Sequence, residues 1–359
     1  MKKNSVHICE SILSLKAYQG GKPISELQRE LGLDEVVKLA SNENPLPVSN
    51  KVRMAIEQAI TEVGRYPDGN GFELKQSIAK YLSISSEHIT LGNGSNDILE
   101  LLARVSLCHA SDEVIFSQYA FVVYPLVTKA LGAKAVITPA NDFGHDLDAM
   151  LLAITNNTKL IFIANPNNPT GTLLEDAGVY TFLSKVPSSV IVVLDQAYVE
   201  YLDVNDVTVG WLQAFDNLVI TRTFSKAYGL AALRVGYSLS SSKIADYLNR
   251  IRQPFNVNHI AQSAAIAALA DEDFLQESIS SNRQGLIQLA NGFKVLGLSY
   301  IPSSANFIAV KVGDPSVIYQ ALLEKGFIVR PVEMKGYLRV SVGAKNENEK
   351  FLVALKSVL

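Results

Sequence analysis

Seven short apolar runs, rich in β-branched and aromatic residues, recur between residues 88 and 240, with stretches of helical spacing between them. The runs are HITLG, EVIFS, AKAVITP, KLIFIANP, VIVVLDQAY, NLVITRTF and RVGYSLS, and the intervening patterns include DLDAMLLAI and GVYTFLSKV. This alternation predicts an α/β fold with a mainly parallel sheet covered by helices on both faces, because a parallel neighbour is reached only through a crossover long enough to hold a helix. Upstream, SNKVRMAIEQAITEVG places Val52, Ala55, Ile56, Ala59, Ile60 and Val63 on one helical face, with Ser49 as N-cap and Gly64 as the stop. After residue 258 the pattern changes to a long Ala-rich helix, then strand, helix, FIVRPV, YLRVSVG and a last helix NEKFLVALKSVL, as expected of a second, smaller α/β unit. The division read from these shifts is an N-terminal arm over 1–40, a large domain over 41–258 and a small one over 259–359. The arm lacks a strong period and is expected to pack on the small domain or on a partner subunit.

A chain of 359 residues exceeds the roughly 250–300 at which a single core stops growing, in keeping with two domains. With 48% hydrophobic residues, 19% charged ones and a net charge of −3, it is neither a disordered chain nor a coat for polyanions, and nucleic acid is not an expected partner. Cys9 and Cys108 form no CxxC, which fits a reducing cytoplasm. His7 and Glu10 interrupt any export signal, and Asp271, Glu272 and Asp273 cut the Ala-rich run short of the ~20 residues of a membrane span. The five histidines include no HExxH, so no metal site is expected.

Ligands of a parallel sheet lie beyond the carboxyl ends of its strands. Four polar stretches stand there: GNGSND, NPNNPTG, DQAY and TFSK. Singly, each has a structural use: a helix cap, a turn, a capping carboxylate beside a packing tyrosine, an exposed lysine. Jointly they describe one edge of one sheet. Lys226, just past NLVI, is either a loop lysine reaching water or a buried amine that gives up its charge. GNGSND supplies only the first two glycines of a dinucleotide fingerprint, and no P-loop follows.

SNENPLP, RYPD, NPNNPTG, DQAY, SKAYGLAALRVGY and LRVSVG, in this order, resemble the fold-type I pyridoxal-phosphate aminotransferases, and specifically the histidinol-phosphate aminotransferases, over nearly the whole chain. The resemblance implies that Lys226 carries pyridoxal 5'-phosphate covalently and shuttles a proton once substrate displaces it. Asp195 would pair with the pyridine nitrogen, Tyr198 and Asn165 would approach the phenolic oxygen, and Tyr119 would stack on the ring. Gly94, Ser95, Asn96, Ser225 and Arg234 would form the phosphate cup. Arg339 would bind the substrate carboxylate, Arg330 is a candidate for the substrate phosphate, and Tyr18 and Asn44 would line the entrance. Tyr66 would reach the cofactor phosphate of a partner, which implies a homodimer with shared sites. The implied reaction exchanges an amino group between histidinol phosphate and 2-oxoglutarate, giving glutamate. An aromatic amino acid aminotransferase, alone or as a second activity, is the alternative.

Overall fold

The computed structural model describes residues 6, 8–17, 20–202 and 206–359. All seven apolar runs are strands of one sheet: β1 (Ile89–Gly92), β2 (Glu113–Ser117), β3 (Lys134–Thr138), β4 (Thr158–Ala164), β5 (Ile191–Asp195), β6 (Leu218–Thr223) and β7 (Gly236–Ser240). Their order is β1-β7-β6-β5-β4-β2-β3. Only β7 runs antiparallel to its neighbours, so β4, β5 and β6 end side by side at one edge. The central strands are buried on both faces, as continuous apolar runs demand. One apolar cluster, including Ile163, Leu194 and Ile220, packs one face; another, including Leu99, Phe162 and Val219, packs the other.

The helix expected over 49–64 forms as Asn50–Ala59, with the Ser49 hydroxyl accepting from the Val52 N–H. It passes into a tighter turn at Ile60–Glu62, short of Gly64. The apolar face stops with it: Val52 and Ala59 are buried, whereas Ile60 and Val63 stand 52% and 67% exposed. The Ala-rich stretch is two helices, His259–Leu269 and Glu272–Val295, not one. Asp271 separates them, its carboxylate binding the Ser49 hydroxyl and the Lys51 ammonium. Ala261, Ala264, Ala265 and Ala268 let the first of these helices lie close on Asn50–Ala59 and Phe72–Leu82, within the cluster of the large sheet.

A second sheet is built from β8 (Tyr300–Ile301), β9 (Phe307–Lys311), β10 (Arg330–Pro331) and β11 (Tyr337–Ser341), in the order β8-β9-β11-β10. Its cluster joins Ile308, Val340 and Phe351 to Leu289 and Phe293 of helix Glu272–Val295. The chain before the large sheet is tied to this unit: Val37–Lys38 pairs in parallel with Phe327–Ile328, and Ser341 N–H donates to Leu39 O at 2.9 Å. Among the described residues no helix is long and apolar enough to cross a membrane.

Candidate active site

The ends of β4, β5 and β6, the N-terminal segment and β11 bring one group of polar side chains together. Lys226 lies three residues past β6 and is partly buried. Its Nζ donates to Ser41 O at 3.2 Å and Asn42 O at 3.1 Å. Burial, reinforced by the Arg339 and Arg234 guanidiniums and opposed by Glu43, pushes its amine down to about 7. Near neutrality the amine is therefore often unprotonated, the state in which nitrogen acts as nucleophile or base.

Asp195 closes β5 and is buried. Tyr124 OH donates to its Oδ2 at 2.7 Å and Thr221 Oγ1 to its Oδ1 at 3.1 Å. Burial holds the carboxyl above its ordinary range, while these two bonds and the Lys226 charge pull it back. A flat cationic partner would relieve that burial. Tyr124 was not among the residues singled out from the sequence. Its only local signal is its place in the first turn of helix Val123–Ala130, just beyond β2, and the ring is fully buried, stacked on Phe162 at 4.5 Å.

Tyr198 is also buried, and its oxygen accepts from Asn42 Nδ2 at 2.9 Å and Asn168 Nδ2 at 3.2 Å. The asparagine of NPNNPTG bonded to this tyrosine is Asn168; Asn165, expected near the same cofactor oxygen as Tyr198, makes other bonds. The Asn165 amide closes a pair of bonds with the Leu174 backbone, donating to Leu174 O at 3.2 Å and accepting from Leu174 N–H at 2.8 Å. Asn168 continues to Arg339, whose Nη1 donates to Asn168 Oδ1 at 2.6 Å and whose Nη2 donates to Ala40 O at 2.8 Å. The guanidinium also lies over the Phe307 ring at 5.2 Å. Arg330 is the direct cross-strand partner of Arg339, which places two cationic residues at adjacent positions of the small sheet.

A second group lies at the start of helix Ser95–Ser106. Gly94, at φ +78°, is its N-cap, and Arg234 is folded against it so closely that a Cβ on Gly94 would overlap the guanidinium. Arg234 itself sits at φ +56° and donates through Nη1 to Ser225 Oγ at 3.3 Å. Ser95, at the first turn, is buried, and Asn96 is exposed beside it. Backbone N–H groups at a helix N-terminus, a hydroxyl and a guanidinium are the donor set of an anion cup.

The remaining candidates make contacts of other kinds. Tyr119, two residues past β2, stacks on Phe143 at 5.8 Å against Ile301, Ala309 and Met334. Asn44, expected at the entrance, is half-buried with its amide engaged: Nδ2 donates to Ala227 O at 2.9 Å and Ser278 Oγ at 2.8 Å, and Oδ1 caps Leu46 N–H. Its role here is to hold the segment after Lys226. Tyr66 is 82% exposed and stacks on Phe255 at 4.6 Å. Tyr18 lies outside the described residues.

Residues 34–357 match the family described as aminotransferase class I and II. The histidinol-phosphate aminotransferase 1 of Idiomarina loihiensis is 53% identical over 353 residues, 97% of this chain and 96% of its own length. That of Methylobacillus flagellatus is 52% identical over 356 residues, 97% of this chain and 96% of its own. Among solved structures, histidinol-phosphate aminotransferase from Sinorhizobium meliloti in complex with pyridoxal-5'-phosphate superposes with a TM-score of 0.92 at 29% identity, covering 99% of this chain and 98% of that one. An aspartate aminotransferase of Thermus thermophilus shares the fold, with a TM-score of 0.84 at 22% identity over 98% of this chain and 100% of that one. The chain belongs to the class I and II aminotransferases, and within them to the histidinol-phosphate aminotransferase family.

Proposed function

We propose that the chain transfers an amino group between histidinol phosphate and 2-oxoglutarate, with pyridoxal 5'-phosphate held between Lys226, Asp195 and the Gly94–Arg234 cup. The observation that carries this reading is the meeting of a partly buried amine held at about 7 with a buried carboxylate and an anion cup at one sheet edge. The donor set fits the cofactor chemically: an amine for its aldehyde, a carboxylate for its ring nitrogen, and N–H, hydroxyl and guanidinium donors for its phosphate. Bound pyridoxal phosphate supplies an electron-accepting ring for the charge left at a substrate carbon when its proton departs.

The chain's own residues do the rest. Lys226, neutral once substrate has displaced it, would take that proton from the substrate carbon and deliver it to the cofactor carbon that began as the aldehyde, across the nitrogen between them. Asp195 keeps the ring nitrogen protonated, and the bonds from Tyr124 and Thr221 hold the carboxylate in place for this. Tyr198 donates to the phenolic oxygen of the cofactor, and we assign the accompanying asparagine as Asn168 in place of Asn165. Tyr119 is retained as the stacking ring. Ser95, Ser225, Arg234 and the N–H groups of Ser95 and Asn96 hold the phosphate, with Gly94, whose own N–H donates to Gly92 O at 2.8 Å, shaping the turn that presents them.

Arg339 is assigned to the carboxylate of glutamate, with Arg330, its cross-strand neighbour, toward the substrate phosphate. The two units are taken to divide within helix Glu272–Val295, since Leu275 belongs to the large cluster and Leu289 and Phe293 to the small one. A homodimer is proposed, with Tyr66, 82% exposed, as the residue that would reach the partner's site. The cytoplasm is the proposed location, in keeping with two exposed, unbridged cysteines.

The test is a steady-state comparison of histidinol phosphate, phenylalanine and tyrosine as amino donors to 2-oxoglutarate. Histidinol phosphate should have the highest kcat/KM. A higher value for either aromatic donor would assign the chain to aromatic amino acids instead.

A further inference from the structure

We propose that Asn42 is a positioning residue that fixes Tyr198 as a hydrogen-bond donor toward the cofactor and couples it to the strand carrying Arg339. This rests on the reading of Lys226 and Tyr198 given above. Asn42 is 1% exposed, and every polar atom it has is engaged. Its backbone N–H donates to Ser341 Oγ at 2.8 Å, so the Ser341 hydrogen is free to go to Asn42 Oδ1 at 2.9 Å. In that arrangement the amide points Oδ1 at Ser341 and Nδ2 at Tyr198 OH. Asn168 is fixed from its other side, because Arg339 can only donate and occupies Oδ1, leaving Nδ2 for the same phenol.

Two N–H donors thus converge on one phenol oxygen, and the phenol hydrogen has to be given elsewhere. Meanwhile the Asn42 carbonyl turns the other way, accepting from Lys226 Nζ at 3.1 Å and Asn306 Nδ2 at 3.0 Å. The left-handed backbone at φ +54° sends side chain and carbonyl to opposite partners, a conformation asparagine tolerates better than most residues. One residue therefore touches the amine, the phenol and, through Ser341, the strand of Arg339.

Asn42→Gly isolates the amide, since glycine keeps the left-handed backbone and the carbonyl. A phenol with one donor fewer is a weaker donor, so more negative charge stays on the cofactor oxygen and the lysine–cofactor linkage holds its proton more tightly. In the holoprotein, the pH midpoint of the visible absorption band should rise by about half a unit to one unit. Asn42→Asp, which can only accept, would draw the phenol hydrogen inward and should raise the midpoint further. In a Tyr198→Phe background Asn42→Gly should leave the midpoint where Tyr198→Phe alone puts it. An unmoved midpoint in Asn42→Gly, or an equal rise in both backgrounds, overturns the proposal. Should Asn42→Gly fail to fold, Ser341→Ala, which frees the amide from its clamp, must move the midpoint the same way or the proposal fails. The parent reading fails separately: wild-type protein would show no pH-dependent band that Lys226→Ala removes.

Discussion

Arg339, on the small sheet, is clamped between two parts of the chain: its Nη1 bonds Asn168 Oδ1 at 2.6 Å and its Nη2 bonds Ala40 O at 2.8 Å. The guanidinium is thus pre-set before substrate arrives, and its neighbour Arg330 sits one strand away. If the two divide carboxylate from phosphate, Arg339→Ala should lower kcat/KM for glutamate and phenylalanine. Loss of a charge-assisted contact of about 1.5–3 kcal/mol corresponds to roughly 10- to 150-fold. Arg330→Ala should raise KM for histidinol phosphate far more than for phenylalanine. Equal losses for all donors in both variants would remove the division of labour.

The Lys226 amine gives a pH prediction with a definite sign. Its folded value of about 7 lies below the ordinary 10.5, so the neutral nucleophile accumulates as pH rises through 7. The rate at which cofactor-free protein captures pyridoxal phosphate should climb between pH 6 and 7.5 and then level off. A rate still rising tenfold per unit at pH 9 would mean an unperturbed lysine. The same shift makes the folded state bind fewer protons than the unfolded one between 7 and 10.5, so this lysine's destabilising contribution is full below 7 and fades as pH rises toward 10.5. The stability gained on Lys226→Met should shrink over that window, measured by denaturant midpoints of the cofactor-free protein.

Asp195 is held by a phenol and a hydroxyl, and the phenol can be removed at almost constant shape. Tyr124→Phe keeps the ring stacked on Phe162 and deletes the 2.7 Å bond to Oδ2. A hydrogen bond to a charged group is worth about 1.5–3 kcal/mol, so cofactor affinity should weaken by at least tenfold in equilibrium titration. Asp195→Asn should lower turnover by several powers of ten, since an amide cannot hold the ring proton. Near-normal rates would mean that another acid contacts the ring.

What the sequence displays and what it hides differ for a physical reason. The strands were readable because a doubly buried strand must be a continuous apolar run, and Lys226 and Asp195 drew notice as charges at the ends of such runs, where burial demands a partner. Asn168, Tyr124 and Asn42 carry no comparable local mark. Asn42 meets Tyr198 across 156 positions and Ser341 across 299, so only the folded chain distinguishes it from a turn asparagine. NPNNPTG offers three asparagines with the same composition, and which one faces the tyrosine depends on the path of the turn. Ala-rich spacing likewise runs through residue 270 without revealing that Asp271 is bound to Ser49.

The exposed Tyr66 bears on assembly. If it completes a partner's site, mixing two weakened variants, Tyr66→Phe and Lys226→Ala, should restore activity through heterodimers that hold one intact site. Equilibrium sedimentation should give a dimer, and Val63→Glu, at a 67% exposed apolar residue three positions before Tyr66, should shift it toward monomer. Unrestored activity in the mixture would leave each site self-contained.

The phosphate cup is the most stringent test, because it depends on an atom that is missing. Gly94 has φ +78°, a conformation costly for any residue with a Cβ, and the place a Cβ would take is filled by the Arg234 guanidinium. Gly94→Ala therefore has two effects that act together: it strains the N-terminus of helix Ser95–Ser106 and displaces the arginine from Ser225. The arginine cannot swing freely, being bonded also to Ala231 O at 3.1 Å and carried on a left-handed backbone of its own. Affinity for pyridoxal phosphate should fall by at least tenfold, while free pyridoxal, which lacks the phosphate, should bind the variant and the wild type alike. A parallel loss for both ligands would place the damage in the ring site, and unchanged affinity for pyridoxal phosphate would mean that the anion is held elsewhere.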